Sequence, residues 1–390
     1  MPVAVGIGLT NECNLACAHC YRPTLEQQRL SVGEVEEILD NLDVGSVNLG
    51  VGENGVHPEY RRMLAIFRER GVKTAITSNG YSLGMLTDEE LSGFHSVELS
   101  FDFPTKAEMD EFRGPGSWET AIDSVERCKR LGIPVAVAAV MMNTNYDKME
   151  ALARFASSLG VDLRVNVYQP VAGEEFTLSY EEFWRGFANL FAAGPVVVCS
   201  EPLVNAVMGL ETTRGNPCGR TSIRALPAGT ITPCPYWPNA AARIRHLADG
   251  EQSIWERREF EKSRQLPRAC EPCRFVESCA GGCASRRALR GKLEEPDEYC
   301  PVVRGGEEEV ERIREMLRYT LSNPEDVPKA GNACTTVIKA VGVRQTAGDH
   351  AGMAPAGGPS DAQHLRRPDQ RPGLIGRSGA RIRSPSSCAR

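Results

Sequence analysis

Six apolar runs rich in β-branched residues, separated by helical patterns, fill the first half of the chain and leave few folds open to it. The runs are Val3–Leu9, Ser46–Gly50, Lys73–Thr77, Ser96–Phe101, Pro134–Met141 and Leu163–Tyr168. Between them, amphipathic spacing predicts helices over Ser31–Leu42, Pro58–Arg70, Asp88–Gly93, Trp118–Leu131 and Asp147–Leu159, with Tyr180–Phe191 after the sixth run. Ser31 with Glu34 three residues on is a capping-box pattern. Arg70-Gly71 and Leu131-Gly132-Ile133-Pro134 read as helix stops that hand over to strands. Strict strand–helix alternation implies a parallel sheet with helices outside it. Six units are too few to close an eight-stranded barrel.

Cysteine is the second constraint. The chain has fourteen, and most fall at metal-ligand spacings. Cys13, Cys17 and Cys20 form C-x3-C-x2-C in a loop just after the first run. Soft thiolates so arranged select zinc or an iron–sulfur cluster. A structural zinc site takes four protein ligands, and the nearest fourth is His19, badly placed between two of the cysteines. Three thiolates can instead hold three irons of a four-iron–four-sulfur cluster, leaving the fourth iron open to a substrate or cosubstrate. Clustered thiols with no basic, apolar leader predict a reducing cytoplasm rather than secretion and disulfides.

Charge narrows the partners. The net charge is −6, but residues 331–390 carry nine Lys/Arg against three Asp, leaving the first 330 residues near −12. So acidic a body is a poor partner for a phosphate backbone, and nucleic acid is not expected as substrate. No apolar run is long enough to span a bilayer, so no membrane partner is expected either.

The triad after a first strand resembles the signature of the radical S-adenosylmethionine (SAM) enzymes. The resemblance implies an α/β fold, an open six-stranded (β/α)6 partial barrel, with the cluster loop at its C-terminal mouth. It also implies that the open iron of a [4Fe–4S] cluster chelates SAM, whose reductive cleavage gives a 5′-deoxyadenosyl radical that takes a hydrogen from substrate. Gly50-Val51-Gly52-Glu53-Asn54 resembles the family's Gly-Gly-Glu-Pro segment, with Val51 in place of the first glycine and Asn54 in place of the proline. There, Gly52 and Glu53 would receive the amino group of SAM. Thr77-Ser78-Asn79-Gly80 resembles the Thr-Asn-Gly turn. Ser100, in Ser100-Phe101-Asp102, would contact the ribose or carboxylate. Arg113, in an Arg-Gly-x-Gly segment, suits a structural ion pair better than a ligand. Arg164 and Asn166 alternate with apolar residues on the sixth strand, and a cofactor carboxylate or ribose would partner them.

Downstream, Cys218, Cys234, Cys270, Cys273, Cys279, Cys283 and Cys300 follow the order of the SPASM domain, a small cysteine-rich auxiliary-cluster domain that binds two auxiliary [4Fe–4S] clusters. A zinc knuckle at 270–283 is the simpler alternative. By resemblance, Cys218, Cys234 and Cys283 would hold one auxiliary cluster, and Cys270, Cys273, Cys279 and Cys300 the other. The first set lacks a fourth ligand: either Cys199 joins it or one iron stays open. Cys128 reads as a small core residue, and Cys334 and Cys388 lie outside the motifs. The expected division is a barrel over 1–193, the auxiliary domain over 194–305, a helix over 306–320 (Glu307–Tyr319 at its heart) and a disordered tail over 321–390, with a basic partner-binding arm as the tail's alternative.

The resemblance implies a maturase that oxidises or cross-links a ribosomally made peptide or protein. A flavodoxin or ferredoxin would serve as reductant. Because the first strand begins at residue 3, a separate leader-recognition protein is expected. The alternative is a dehydrogenase or epimerase acting on a small molecule in antibiotic or cofactor biosynthesis.

Overall fold

The computed structural model describes residues 2–22, 26–210, 218–220, 222–250, 254–323 and 335–341. In it the six apolar runs become β1 (Val3–Ile7), β2 (Val44–Leu49), β3 (Lys73–Ser78), β4 (Ser96–Ser100), β5 (Val135–Met141) and β6 (Asp162–Val167), each parallel to the one before. Parallel neighbours need long crossovers, and helices supply them. The helix Val32–Asn41 buries Val35, Ile38 and Leu39, and Ser31 and Glu34 cap its start reciprocally. The helix Ser117–Arg130 buries Ala121, Val125 and Cys128, so Cys128 is a core residue.

Along β1 the alternation sorts the chain into two faces. Val3, Val5, Ile7 and Leu9 are buried in the helix-side core. Gly6 and Gly8 face the other way, and there is no room for more: a Cβ on Gly6 would lie 2.3 Å from Arg224 Cδ, and one on Gly8 2.8 Å from Val51 Cβ. Small residues on this inner face are what keep the barrel mouth hollow.

The sheet runs beyond the six expected strands. Its order is β7-β10-β6-β5-β4-β3-β2-β1-β8-β9, with β7 (Val196–Cys199), β8 (Ser222–Ala225), β9 (Ile231–Thr232) and β10 (Thr336–Ile338) added at the two ends. β8 continues the parallel array beside β1, and β9 folds back on it as a hairpin. The sheet therefore does not stop at residue 193: strands from the cysteine-rich segment extend both of its edges. The tail expected to be disordered from residue 321 is also corrected in part. Thr336–Ile338 insert antiparallel between β6 and β7, because Thr335-Thr336-Val337-Ile338 is a short β-branched run that buries in a gap between two strands. The rest of the tail, with Cys334 and Cys388, lies outside the described residues. The last long helix spans Pro301–Met316, earlier than expected, with a break at Gly305 and Gly306. No helix among the described residues is long and apolar enough to cross a membrane.

Candidate active site

The loop after β1 has no regular structure from Cys13 to Tyr21 apart from a turn, so side chains must hold it. Asn11 does so at its base, donating from Nδ2 to Glu26 O (2.6 Å) and accepting from Gln28 N (2.9 Å). Arg22 closes the other end, its guanidinium donating to Asn11 O (2.9 Å) and Leu15 O (2.6 Å). Gly52 presses on the same loop. Its φ is +52°, and a Cβ there would sit 2.4 Å from Thr10 O and 2.5 Å from Glu12 O. Glu53 N then donates to Glu12 O at 2.7 Å. Only glycine permits this close approach of two backbones.

Cys13, Cys17 and Cys20 line one cavity of about 240 Å³ at the C-terminal mouth of the barrel. Cys13 Sγ accepts from Leu15 N (3.4 Å) and Asn79 Nδ2 (3.6 Å). Burial pushes the Cys13 thiol up to about 11 and raises that of Cys17 as well. Such thiols become good ligands when a bound cation displaces their protons. Among the described residues no three His, Cys, Asp or Glu side chains converge as a single ion requires. Three soft donors ranged along one wall, with amide donors aimed at sulfur, suit a polynuclear iron–sulfur group that takes one thiolate per iron.

The five residues expected to meet the cofactor separate into two groups. Gly52, Ser100 and Asn166 line the cavity, Asn166 also accepting from Thr335 Oγ1 at 2.8 Å. Glu53 and Arg164 are held differently. Glu53 reaches the cavity wall, but its buried carboxylate accepts from Ser78 Oγ (2.5 Å), Asn79 N (3.0 Å), Ser82 N (2.9 Å) and Ser82 Oγ. It pins the turn after β3 from within the cavity wall. Arg164 does not line the cavity. It pairs with buried Glu98 at 2.9 Å, and Glu98 also accepts from Thr77 Oγ1 at 2.8 Å. A buried cation needs a carboxylate, and β4 supplies one. Asn54, in the proline's place, accepts from Leu9 N at 3.0 Å and so fixes the end of the first strand's run.

Arg113 is the structural ion pair expected of it. It donates to Asp102 Oδ2 through Nε (2.8 Å) and Nη2 (2.7 Å), while Val140 N donates to Oδ1 (2.9 Å). Burial pushes the Asp102 carboxyl up, but Arg113 and His19 more than offset this and hold it below its usual range. His19, whose Nε2 lies 3.4 Å from Asp102 Oδ2, packs against Phe112 at a ring separation of 4.9 Å. The cluster loop is thus tied to β4 and to the helix Lys106–Arg113, an element the periodicity did not reveal.

Two residues escaped the sequence reading, Gln169 and Arg224, and His19 was read there only as a poor fourth metal ligand. Gln169 lines the cavity, is 6% exposed, and leaves its Oε1 buried with no hydrogen-bond partner among the described residues. His19 Nδ1 is orphaned in the same way. Buried polar atoms without a partner, on two residues that line one cavity, are uncommon in a folded protein. The second missed residue is Arg224 on β8. Only a prediction that β8 pairs with β1 would have found it.

The remaining thiols form two groups. Cys270, Cys273, Cys279 and Cys300 line a single small cavity of about 30 Å³ with apolar neighbours such as Leu203, Ala206 and Val207. Cys218 and Cys234 pack together with Trp237 and Ala284. Burial pushes the Cys234 thiol up, yet hydrogen bonds with Cys218 and Ser285 bring it down to about 7. Ala284 follows Cys283 in sequence, so the chain at Cys283 adjoins that pair. Cys199 is on β7 at the far end of the sheet from β8, 3.4 Å from Thr336 Oγ1. Glu201, two residues on, pairs with Arg286 in the helix that follows Cys283. Behind both groups, Asp297 accepts from Cys283 N (2.8 Å) and from Arg286, which also pairs with Glu201 at 2.9 Å.

Comparison with known proteins agrees with this geometry. Residues 7–156 match the family described as the radical SAM superfamily. The mycofactocin maturase MftC of Mycolicibacterium smegmatis is 25% identical over 332 residues, covering 77% of this chain and 82% of its own. The PqqA peptide cyclase of Ruegeria pomeroyi is 25% identical over 330 residues, covering 77% and 87%. Among solved structures, Streptococcus suis SuiB bound to its precursor peptide SuiA superposes with a TM-score of 0.58 at 18% identity, covering 77% of this chain and 76% of SuiB, which bears on the fold alone.

Proposed function

We propose, from the premise that this chain carries a radical SAM domain over residues 7–156, that it takes a hydrogen atom from a peptide or protein substrate and so leads to its oxidation or cross-linking. One observation carries the reading: the three thiols of the C-x3-C-x2-C loop line a cavity at the barrel mouth whose wall also holds Ser100, Asn166 and the unmet Gln169. A domain of this family works with SAM and one [4Fe–4S] cluster, and together these supply a carbon radical able to take a hydrogen atom.

The chain's own residues do the holding. Cys13, Cys17 and Cys20 would ligate three irons, with Asn79 and Leu15 N donating to the Cys13 sulfur. Arg22 and Asn11 fix the loop, and the Asp102–Arg113 pair buries its charges beneath it. Ser100, Asn166 and the backbone at Gly52 are the positions from which SAM would be held. Cys270, Cys273, Cys279 and Cys300 would bind one auxiliary [4Fe–4S] cluster. Cys218, Cys234 and Cys283 would bind the other, with one iron not capped by the described residues. The peptide reading is supported by the names of the relatives: a maturase and a peptide cyclase. A flavodoxin or ferredoxin would act as reductant and a separate protein would present the leader, in a cytoplasmic setting.

The test is anaerobic reconstitution followed by iron and sulfide analysis, then reduction with SAM present. The reading expects iron for three clusters and release of 5′-deoxyadenosine, and loss of hydrogen from a peptide substrate by mass spectrometry. Zinc in place of iron, or no nucleoside after reduction, would overturn it.

A further inference from the structure

Three arginines line the cavity, and two are already occupied. Arg22 donates to the carbonyls of Asn11 and Leu15, and Arg113 is locked on Asp102. Arg224 stands apart. Its recorded hydrogen bond runs from Nη1 to the carbonyl of its own neighbour, Ile223, at 2.9 Å. No carboxylate among the described residues pairs with it. Glu53, the carboxylate in the cavity wall, is already taken by four donors.

The placement of Arg224 is built into the sheet. β8 pairs with β1 so that Arg224 lies opposite Gly6. With no Cβ on Gly6 the arginine stem can cross the strand, since any side chain there would meet Cδ at 2.3 Å. A half-buried guanidinium keeps five fixed donors and has given up part of its hydration, so a planar oxyanion bound in two-pronged fashion is the partner it fits. Ser100 and Asn166, the positions proposed for SAM, stand on β4 and β6, four and six strands further along the sheet order. All three side chains line the same cavity.

Resting on the function proposed above, we infer that Arg224 is a substrate-binding residue that receives a carboxylate the peptide carries near its reacting carbon, whether from an Asp or Glu side chain or from a free C-terminus.

The probe is a set of short synthetic peptides bound to the reconstituted holoenzyme and read by affinity selection with mass spectrometry. One arm has free C-termini, a second has the same peptides amidated, and a third replaces Asp and Glu by Asn and Gln. The wild-type protein should retain carboxylate-bearing peptides over their neutral isosteres by roughly tenfold or more, as a charge-assisted hydrogen-bonded pair allows. Arg224→Gln should erase that preference, and Arg224→Lys should restore part of it. The arm in which the preference vanishes identifies the carboxylate. No preference in the wild type, or one unchanged in Arg224→Gln, overturns the inference. So does a tenfold loss of SAM affinity in Arg224→Gln, which would assign the anion to SAM, or a fall in iron per chain, which would assign the guanidinium to cluster charge. If the wild type releases 5′-deoxyadenosine yet shows no preference, this inference alone fails; if it releases none, the proposed function fails and takes this with it.

Discussion

Cys13, Cys17 and Cys20 line a cavity of about 240 Å³ whose wall mixes polar and apolar side chains, whereas Cys270, Cys273, Cys279 and Cys300 surround about 30 Å³ among mostly apolar ones. The first set is held by a loop tied down through its neighbours' amides and carbonyls. The second is backed by a buried Arg286–Asp297 pair with Glu201, and the Arg286 guanidinium also lies 4.7 Å over the Tyr299 ring. Room beside the thiols, and residues that carry unmet polar atoms, occur together at the barrel mouth. Where four thiols meet, that room is missing. The contrast separates a site built to admit a further ligand from one built to enclose what it binds.

The largest effect that could break this contrast comes from the thiols themselves. Cys17→Ala should abolish 5′-deoxyadenosine release, while Cys273→Ala should remove iron equivalent to about one cluster and still permit some release, measured by chromatography beside iron analysis. Equal loss in both variants would mean the two sites are not distinct in role. Next comes the buried pair. Asp297→Ala leaves the buried Arg286 charge to Glu201 alone and should cost about 3 kcal/mol in chemical denaturation, the low end for a broken buried pair.

A smaller and opposite effect is expected at Val51. This β-branched residue sits at φ +60°, a region that penalises it, beside the glycine that presses on the cluster loop. Val51→Gly should raise stability by about 1 kcal/mol, read as a higher Tm. The smallest effect is electrostatic. Hydrogen bonds from Arg127 and Arg130 hold the exposed Asp88 carboxyl below its ordinary value. Its stabilisation is therefore complete above about pH 4 and fades as pH falls through the lowered value. Asp88→Asn should leave a shallower acid limb in stability measured against pH, with little change at neutrality.

The sequence made the barrel legible because period and length agreed over six long runs, and the cluster loop legible because thiol spacing is rare by chance. What it hid depended on pairing across long separations. Arg164 looked like a ligand because its partner Glu98 lies 66 residues away on another strand. Glu53 looked free because Ser78, Asn79 and Ser82 reach it only once β2 and β3 are side by side. β8 and β10 are only four and three residues long, too short for any period to show, and Arg224 could not be seen without the first of them.

β10 has a consequence for how the molecule is made. Synthesis proceeds from the N-terminus, so β6 and β7 emerge well before residues 336–338 that will join them. Until then each presents an open edge of unpaired amides and carbonyls, an invitation to other nascent chains. The keystone is cut last, and a ribosome that stalls before it releases an arch that cannot stand closed.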